Sequence, residues 1–426
     1  MQREDIRYQT YLQILREELV PAMGCTEPIA IAYGAAKARE ILGTIPDKVI
    51  VEASPNIIKN VKSVIVPNTN GLKGVEAAAA VGIIAGKSDK MLEVISEVSE
   101  EDKNTTSEYM NSGCIEVRMA DTALAFDMII KLYDKDANVN LRIADYHTNI
   151  VHIEKNGEVI YDIGVINADE SGLTDRGLLN IKDIIDFADS VLIEDIKDLL
   201  DRQIQYNSAI ARVGIEKDYG ANIGSVLLKT YGDDIKIRAK AMAAAAADAR
   251  MGGCELPVIV NSGSGNQGIT ASVPVIEYAK KLEVDDDKLY RALVISNLIT
   301  IHQKTGIGRL SAFCGAVCAG CGSGTGIAYL YGGGYEEIAH TLVNAVAIVS
   351  GMVCDGAKPS CAGKVATSVD AGLLGYYMFK EGQQFLGGDG IVAKGVENTI
   401  VNVSHLGNQG MKETDKEIIR IMLNQC

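Results

Sequence analysis

Apolar positions recur at helical spacing at the start of the chain, at strand spacing soon after, and at helical spacing again through most of the second half. Leu12, Leu15 and Leu19 share one face of a helix over residues 5–20. Pro21 and Gly24 break that pattern. Thr26 is the expected N-cap of a second helix, with Glu27 and Pro28 in its first turn and Gly43 ready to end it after about Leu42. Strand-like runs follow at 48–53, 61–67, 115–120, 140–146, 149–155 and 158–166, with Asn156-Gly157 as a hairpin signal. An Ala-rich segment at 75–86 and an acidic helix-like stretch, SEVSEEDKN, lie between them. Residues 167–175 read as a connector. Beyond it KDIIDFADSVLIEDIKDLLDRQI, IRAKAMAAAAADARM, HTLVNAVAIVSGMVC and TDKEIIRIML are helical, and the glycine-rich stretches NSGSGNQG, CGSGTG, YGGG and GGDG read as turns. The expected fold is an α/β or α+β N-terminal domain over residues 1–175, then a mostly α-helical domain over 176–426 whose loops carry the chemistry.

Composition and the opening residues sharpen this picture. Trp is absent and glycine numbers 43, so closely approaching helices are expected. A net charge of −15 argues against nucleic acid and anionic membranes as partners. The uncharged run Ala312–Tyr335 contains too many glycines and polar residues for a spanning helix. The opening MQREDIRYQ has no leader character, and an odd number of cysteines in a long chain suits free thiols in a reducing cytoplasm.

The candidate chemistry lies in the cysteines. Cys314 sits in SAFCGAVCAGCGSG, Cys354 and Cys361 in MVCDGAKPSCAGK, and Cys25 far upstream in PAMGCTEP. The seven-residue step from Cys354 to Cys361 can bring both sulfurs to one metal centre, and Cys314 could supply a third. Two other readings stay open on spacing alone. Cys314, Cys318 and Cys321 have the CxxxCxxC spacing of radical enzymes, although too little chain follows for a barrel. A structural zinc site is the other. Cys25, next to a helix start, is expected to have a lowered pKa and to act as a base, nucleophile or ligand. Cys114 and Cys254 read as small buried apolar residues.

PAMGCTEPIAIAYGAAKA, NTNGLKG, NSGSGNQG, SAFCGAV, MVCDGAKPSCAGK and VENTIVNVSHLGNQGM together resemble the iron–sulfur L-cysteine desulfidases, which are related to the iron–sulfur L-serine dehydratases and their alpha-chain domain. The resemblance runs from about residue 10 to near residue 415. It implies a serine-dehydratase-alpha-like fold, a [4Fe-4S] cluster held by Cys314, Cys354 and Cys361, and β-elimination of cysteine to pyruvate, ammonia and sulfide. Cys25 matches the family's N-terminal cysteine. GCTEP stands where the serine dehydratases carry a Ser-rich, His-containing loop, which favours a thiol substrate.

An open cluster iron would act as Lewis acid, with Cys25 or Lys304 removing the Cα proton. Thr26 and Glu27 flank Cys25. The loops Asn68–Gly74 and Asn261–Gly268 offer Asn68, Asn70, Ser262, Ser264 and Asn266 to a small carboxylate. Arg309 is the first expected partner of that carboxylate, with Arg250 second. His302 and His405 read as structural or surface residues. The thiol and α-carboxylate of Cys426 suggest a tail that inhibits or ligates. The expected partner is a small amino acid, with a homo-oligomer left open. The alternatives are L-serine as substrate and, from another class, a non-catalytic iron–sulfur redox sensor.

Overall fold

The computed structural model describes residues 1–165 and 173–422. The N-terminal half runs α1 (Ile6–Glu18), β1 (Pro21–Met23), α2 (Thr26–Leu42), β2 (Lys48–Ala53), α3 (Pro55–Val61), α4 (Gly74–Ala85) and α5 (Glu100–Asn111). It continues through five strands, β3 (Ile115–Met119), β4 (Asp127–Asp134), β5 (Ala137–Ala144), β6 (Ile150–Lys155) and β7 (Glu158–Asp162). Six strands form one sheet in the order β3-β2-β4-β5-β6-β7; β2 and β3 are parallel and every other pair is antiparallel. Burial alternates along β5, with Val139, Leu141 and Ile143 inward, as a sheet with one covered face requires. Helix α2 covers that face. A Cβ at Gly34 would lie 2.6 Å from Ile130 Cδ1, so glycine lets the helix sit close on the sheet.

The second half is helical: α6 (Ile181–Ser190), α7 (Ile193–Glu216), α8 (Ile223–Tyr231), α9 (Ile235–Met251), the short β8 (Pro257–Ile259), then α10 (Gly265–Leu282), α11 (Asp286–Ile307), α12 (Gly315–Leu330), α13 (Tyr335–Val349), α14 (Ser360–Lys380), α15 (Val396–His405) and α16 (Lys412–Met422). Helix α12 is the central rod, in contact with α10, α11, α13 and α14. One continuous apolar core extends through both halves. Helix α1 packs against α6 and α7, with Tyr8 and Tyr11 edge-on to Phe187 at 5.2 and 5.5 Å. Antiparallel pairing of β1 with β8 ties Pro21–Met23 to Pro257–Ile259. Among the described residues no helix is long and apolar enough to cross a membrane.

The expected mixed first half and helical second half are both present. Four local expectations need correction. The run 61–67 is not a strand: α3 ends at Val61 and only an isolated bridge, Ile65 to Lys73, follows. Strand β4 was missed, because DMIIKLYD buries neighbours on both sides of its alternation. KDIIDFADSVLIEDIKDLLDRQI is two helices, broken at Val191 and Leu192. CGSGTG is no turn; it lies within α12, where its glycines admit neighbouring backbone. Cβ atoms at Gly322 and Gly324 would stand 2.7 Å from Ser296 O and 2.6 Å from Gly372 O. Most of the expected 167–175 connector, and all of Cys426, lie outside the described residues.

Asn207 on α7 stands in for a missing strand beside β8. Its Oδ1 accepts from Ile259 N at 2.9 Å and its Nδ2 donates to Ile259 O at 3.2 Å, both in buried surroundings. Leucine at this position would strand both backbone groups. Asn207→Leu is therefore expected to cost about 2 kcal/mol or more, measured as a lower urea midpoint with an unchanged slope.

Candidate active site

Two backbone hydrogen bonds join the separate cysteine stretches. Cys314 N donates to Met352 O at 3.1 Å and Cys354 N donates to Ala312 O at 2.6 Å, around an antiparallel bridge between Phe313 and Val353. Cys314 is thereby the N-cap of α12, and Cys361 falls in the first turn of α14. The Cys354–Cys361 loop is folded by Asp355, which pairs with Lys358 at 2.5 Å and also with Lys364. Gly356, at φ +89°, lies so close to Lys59 O that a Cβ would sit 2.3 Å from it. Lys59 is buried and holds Asp415 of α16 at 2.5 Å, which fastens the C-terminal helix to α3.

Cys25, Cys314, Cys354 and Cys361 line one cavity of about 100 Å³. Four helices present their N-termini to it: α2 through Cys25 and Glu27, α10 through Ser264, Asn266 and Gln267, α12 through Cys314–Ala316, and α14 through Cys361 and Lys364. Free N–H groups and the positive ends of four helix dipoles favour negative charge in this space. Lys304, Arg309 and Arg250 complete a cationic lining. Lys304 is 4 % exposed, and burial pushes its pKa down.

Among the described residues no three His, Cys, Asp or Glu side chains converge closely enough to hold one metal ion. Cys314, Cys354 and Cys361 line the same cavity, and thiolates are the donor type that an iron–sulfur cluster takes. Without metal, burial and the neighbouring Cys354 push the Cys314 thiol up to about 12, and burial also raises Cys361. Iron would have to displace those protons. Cys318 and Cys321 do not share this position. They are buried along α12 and pack into the core, so the CxxxCxxC spacing is a helix face rather than a ligand loop.

The Cys25 end departs from expectation. Cys25, not Thr26, is the N-cap of α2, and its thiol makes no capping bond. Its pKa is raised well above the usual thiol value rather than lowered, by burial first and by the Glu27 carboxylate second; Arg250 opposes both. The dipole is outweighed because the thiol is 3 % exposed and donates to Glu27 Oε2 at 3.1 Å. Thr26 Oγ1 donates to Gly263 O at 2.8 Å and so joins α2 to the 261–268 loop.

Glu27 is the hub of this end. Its Oε1 accepts from Asn60 Nδ2 at 3.1 Å and lies 3.9 Å from His147 Nε2. Burial would raise its pKa, but the His147 imidazole and the Cys25 thiol outweigh burial and hold it at about 2. A carboxylate so depressed contributes stability that is complete above its ordinary value of 4.5 and lost as pH falls toward about 2. Glu27→Gln is expected to flatten the acid limb of the melting-temperature profile across that window. It should also lower the Cys25 pKa, read as faster iodoacetamide labelling at neutral pH. His147 and Asn60 had no sequence signal; they reach Glu27 from the β5–β6 turn and from α3.

The remaining expected residues divide. Glu27, Ser264, Asn266, Lys304 and Arg309 line the cavity. Ser262, at φ 50°, is bonded to Asn261 Oδ1 and faces the adjoining space beside Lys304 and Arg309. Asn68 and Asn70 do not reach the cavity. Asn68 Nδ2 donates to Ile95 O, and both residues take positive φ in a turn that leads into α4. His302 is bonded to Glu397 at 2.7 Å and His405 is exposed, in keeping with structural roles.

With this fold and cavity, the chain belongs to the serine dehydratase alpha chain family, which matches residues 89–420. It is 71 % identical to a UPF0597 protein of Desulfitobacterium hafniense over all of this chain and 99 % of that protein. It is 52 % identical to a UPF0597 protein of Lachnoclostridium phytofermentans, over 98 % of this chain and all of the relative. A third UPF0597 protein, from Treponema denticola, is 47 % identical over 99 % of this chain and the whole relative.

Proposed function

We propose that the protein is an iron–sulfur-dependent amino-acid lyase that eliminates sulfide from L-cysteine and releases pyruvate and ammonia. One observation carries this reading: cysteines from positions 25, 314, 354 and 361 line a single cavity walled by helix N-termini. Membership in the serine dehydratase alpha chain family supports lyase chemistry. Cys25 in GCTEP, in place of a serine-rich loop, supports a thiol substrate.

Cys314, Cys354 and Cys361 would hold the cluster, which when bound supplies an open iron as Lewis acid for the leaving sulfur and for developing negative charge. The chain's own groups handle the proton. Lys304 is buried against the thiols without a carboxylate partner among the described residues, and burial favours its neutral amine. It is the first choice to take the Cα proton. Cys25 is a protonated thiol that donates to the Glu27 carboxylate, so it is not the base. Loss of the Cα proton and of sulfide leaves an aminoacrylate, which tautomerises and hydrolyses to pyruvate and ammonia. The eight described cysteines are free, as ligands in a reducing compartment would be, and a cytoplasmic setting fits.

The test is anaerobic. Protein reconstituted with iron and sulfide, then freed of excess reagent, is given L-cysteine, with L-serine in parallel. Equal release of sulfide and pyruvate from L-cysteine supports the proposal. Pyruvate from L-serine alone makes the protein a dehydratase, and no product from either with a loaded cluster favours a sensor.

A further inference from the structure

Arg309 was the expected holder of a substrate carboxylate, yet its charge is already matched. Its Nη2 donates to Glu18 at 2.7 Å, and Arg176 bonds the same carboxylate at 2.8 Å. Arg250 is the opposite case. It is 2 % exposed, lines the thiol cavity, and makes no ion pair or hydrogen bond among the described residues; its Nε is buried and unpartnered. Lysine in such a place can lose its proton, as Lys304 tends to, but a guanidinium stays charged. An unpaired buried cation is costly, so a site that keeps one is built for an anion that comes and goes. The space for it is deliberate: a Cβ at Gly265 would sit 2.2 Å from Arg250 Nε.

Three further orphans share the cavity, and all are acceptors: Asn60 Oδ1, Asn266 Oδ1 and Gln267 Oε1. The Asn60 orientation is fixed, because its Nδ2 donates to the Glu27 carboxylate and must leave the oxygen free. Gln267 is held against the start of α12, where a Cβ at Gly315 would meet its Cδ at 2.5 Å. One fixed positive donor and several unfilled carbonyl oxygens are the complement of a zwitterion, an anionic carboxylate with an ammonium close by. We propose that Arg250, with the side-chain oxygens of Asn60, Asn266 and Gln267, forms the subsite that recognises the α-carboxylate and α-ammonium of a free amino acid. This deepens the lyase reading, on which it rests for the reaction but not for the recognition.

The probe is L-alanine, which has both charged groups and no leaving group; propionate and ethylamine each carry one. Calorimetric titration of the anaerobic reconstituted protein should show L-alanine binding more tightly than either. Arg250→Met should weaken it about 10- to 100-fold, Arg250→Lys should retain part of it, and Arg309→Met should have the smaller effect. The melting temperature of unliganded Arg250→Met should hold or rise, because an unpaired buried charge has been removed. Three results would each overturn the subsite: no L-alanine binding by the wild type, unchanged binding in Arg250→Met, or a lowered melting temperature that marks Arg250 as structural. Arg250-dependent L-alanine binding in a protein that eliminates no amino acid would leave the subsite standing and remove the lyase. Sulfide and pyruvate release with an unaltered KM in Arg250→Met would do the reverse.

Discussion

Cys354→Ala and Cys361→Ala are each expected to abolish sulfide and pyruvate release from L-cysteine, by a factor on the order of a thousand or more. The size follows from the chemistry: a Lewis-acid metal contributes several kcal/mol to the transition state, and each 1.4 kcal/mol is about tenfold in rate. Cys314 belongs to the same set, since its backbone is hydrogen-bonded to the Cys354 stretch at Met352. Cys318→Ala is the informative comparison. Cys318 is 1 % exposed and packs into the core along α12, whereas Cys354 and Cys361 are only half-buried, so its loss should lower stability by about 1 kcal/mol or a little more while iron incorporation persists. Iron content and the visible absorbance of the reconstituted protein check both without reference to turnover. Full iron loading with unchanged turnover in Cys354→Ala would end the proposed ligand assignment.

Gly372→Leu is expected to be among the most damaging single changes to stability, about 3 kcal/mol or more. A Cβ at Gly372 would lie 2.2 Å from Gly320 O, which is helix backbone and cannot rotate aside. Helices α12 and α14 would have to separate. The consequence reaches the chemistry, because α12 starts at Cys314 and α14 carries Cys361 in its first turn. Loss of stability and loss of iron binding should therefore go together. Gly363→Ala on the same helix is the control. Nothing stands within 4 Å of its Cβ position, so that change should be neutral or stabilising by up to about 1 kcal/mol. Chemical denaturation of the three proteins side by side measures the difference.

These two predictions also separate what was legible in the chain. The cysteine stretches stand out because several thiols in small-residue surroundings are unusual, and Cys25, Cys314, Cys354 and Cys361 line one cavity. The glycines of CGSGTG show the opposite case: the expected turn is the interior of a helix. Local rules take clustered glycine for a turn, whereas here Gly324 admits α14 to α12, and Gly322 and Gly326 admit α11. The partner that makes glycine necessary, Gly372, is far along the chain and leaves no local trace. Strand β4 was lost for a related reason: its alternation is blurred by burial that only its neighbours create.

The chain by itself determined the mixed first half, the helical second half, and the residue types available for thiol-ligated chemistry. Those follow from periodicity, turn residues and composition, all of which act over a few residues. Only the tertiary structure decided the charge states and allegiances within the site. Burial and Glu27 make Cys25 a protonated thiol despite its place at a helix start. Glu18, contributed by α1, satisfies Arg309, while no residue in the described structure satisfies Arg250. His147 and Asn60 reach Glu27 only because the sheet and α3 pack around α2. Desolvation and charge pairing depend on what lies across a few ångströms of space, and in this fold those neighbours come from positions up to hundreds of residues away.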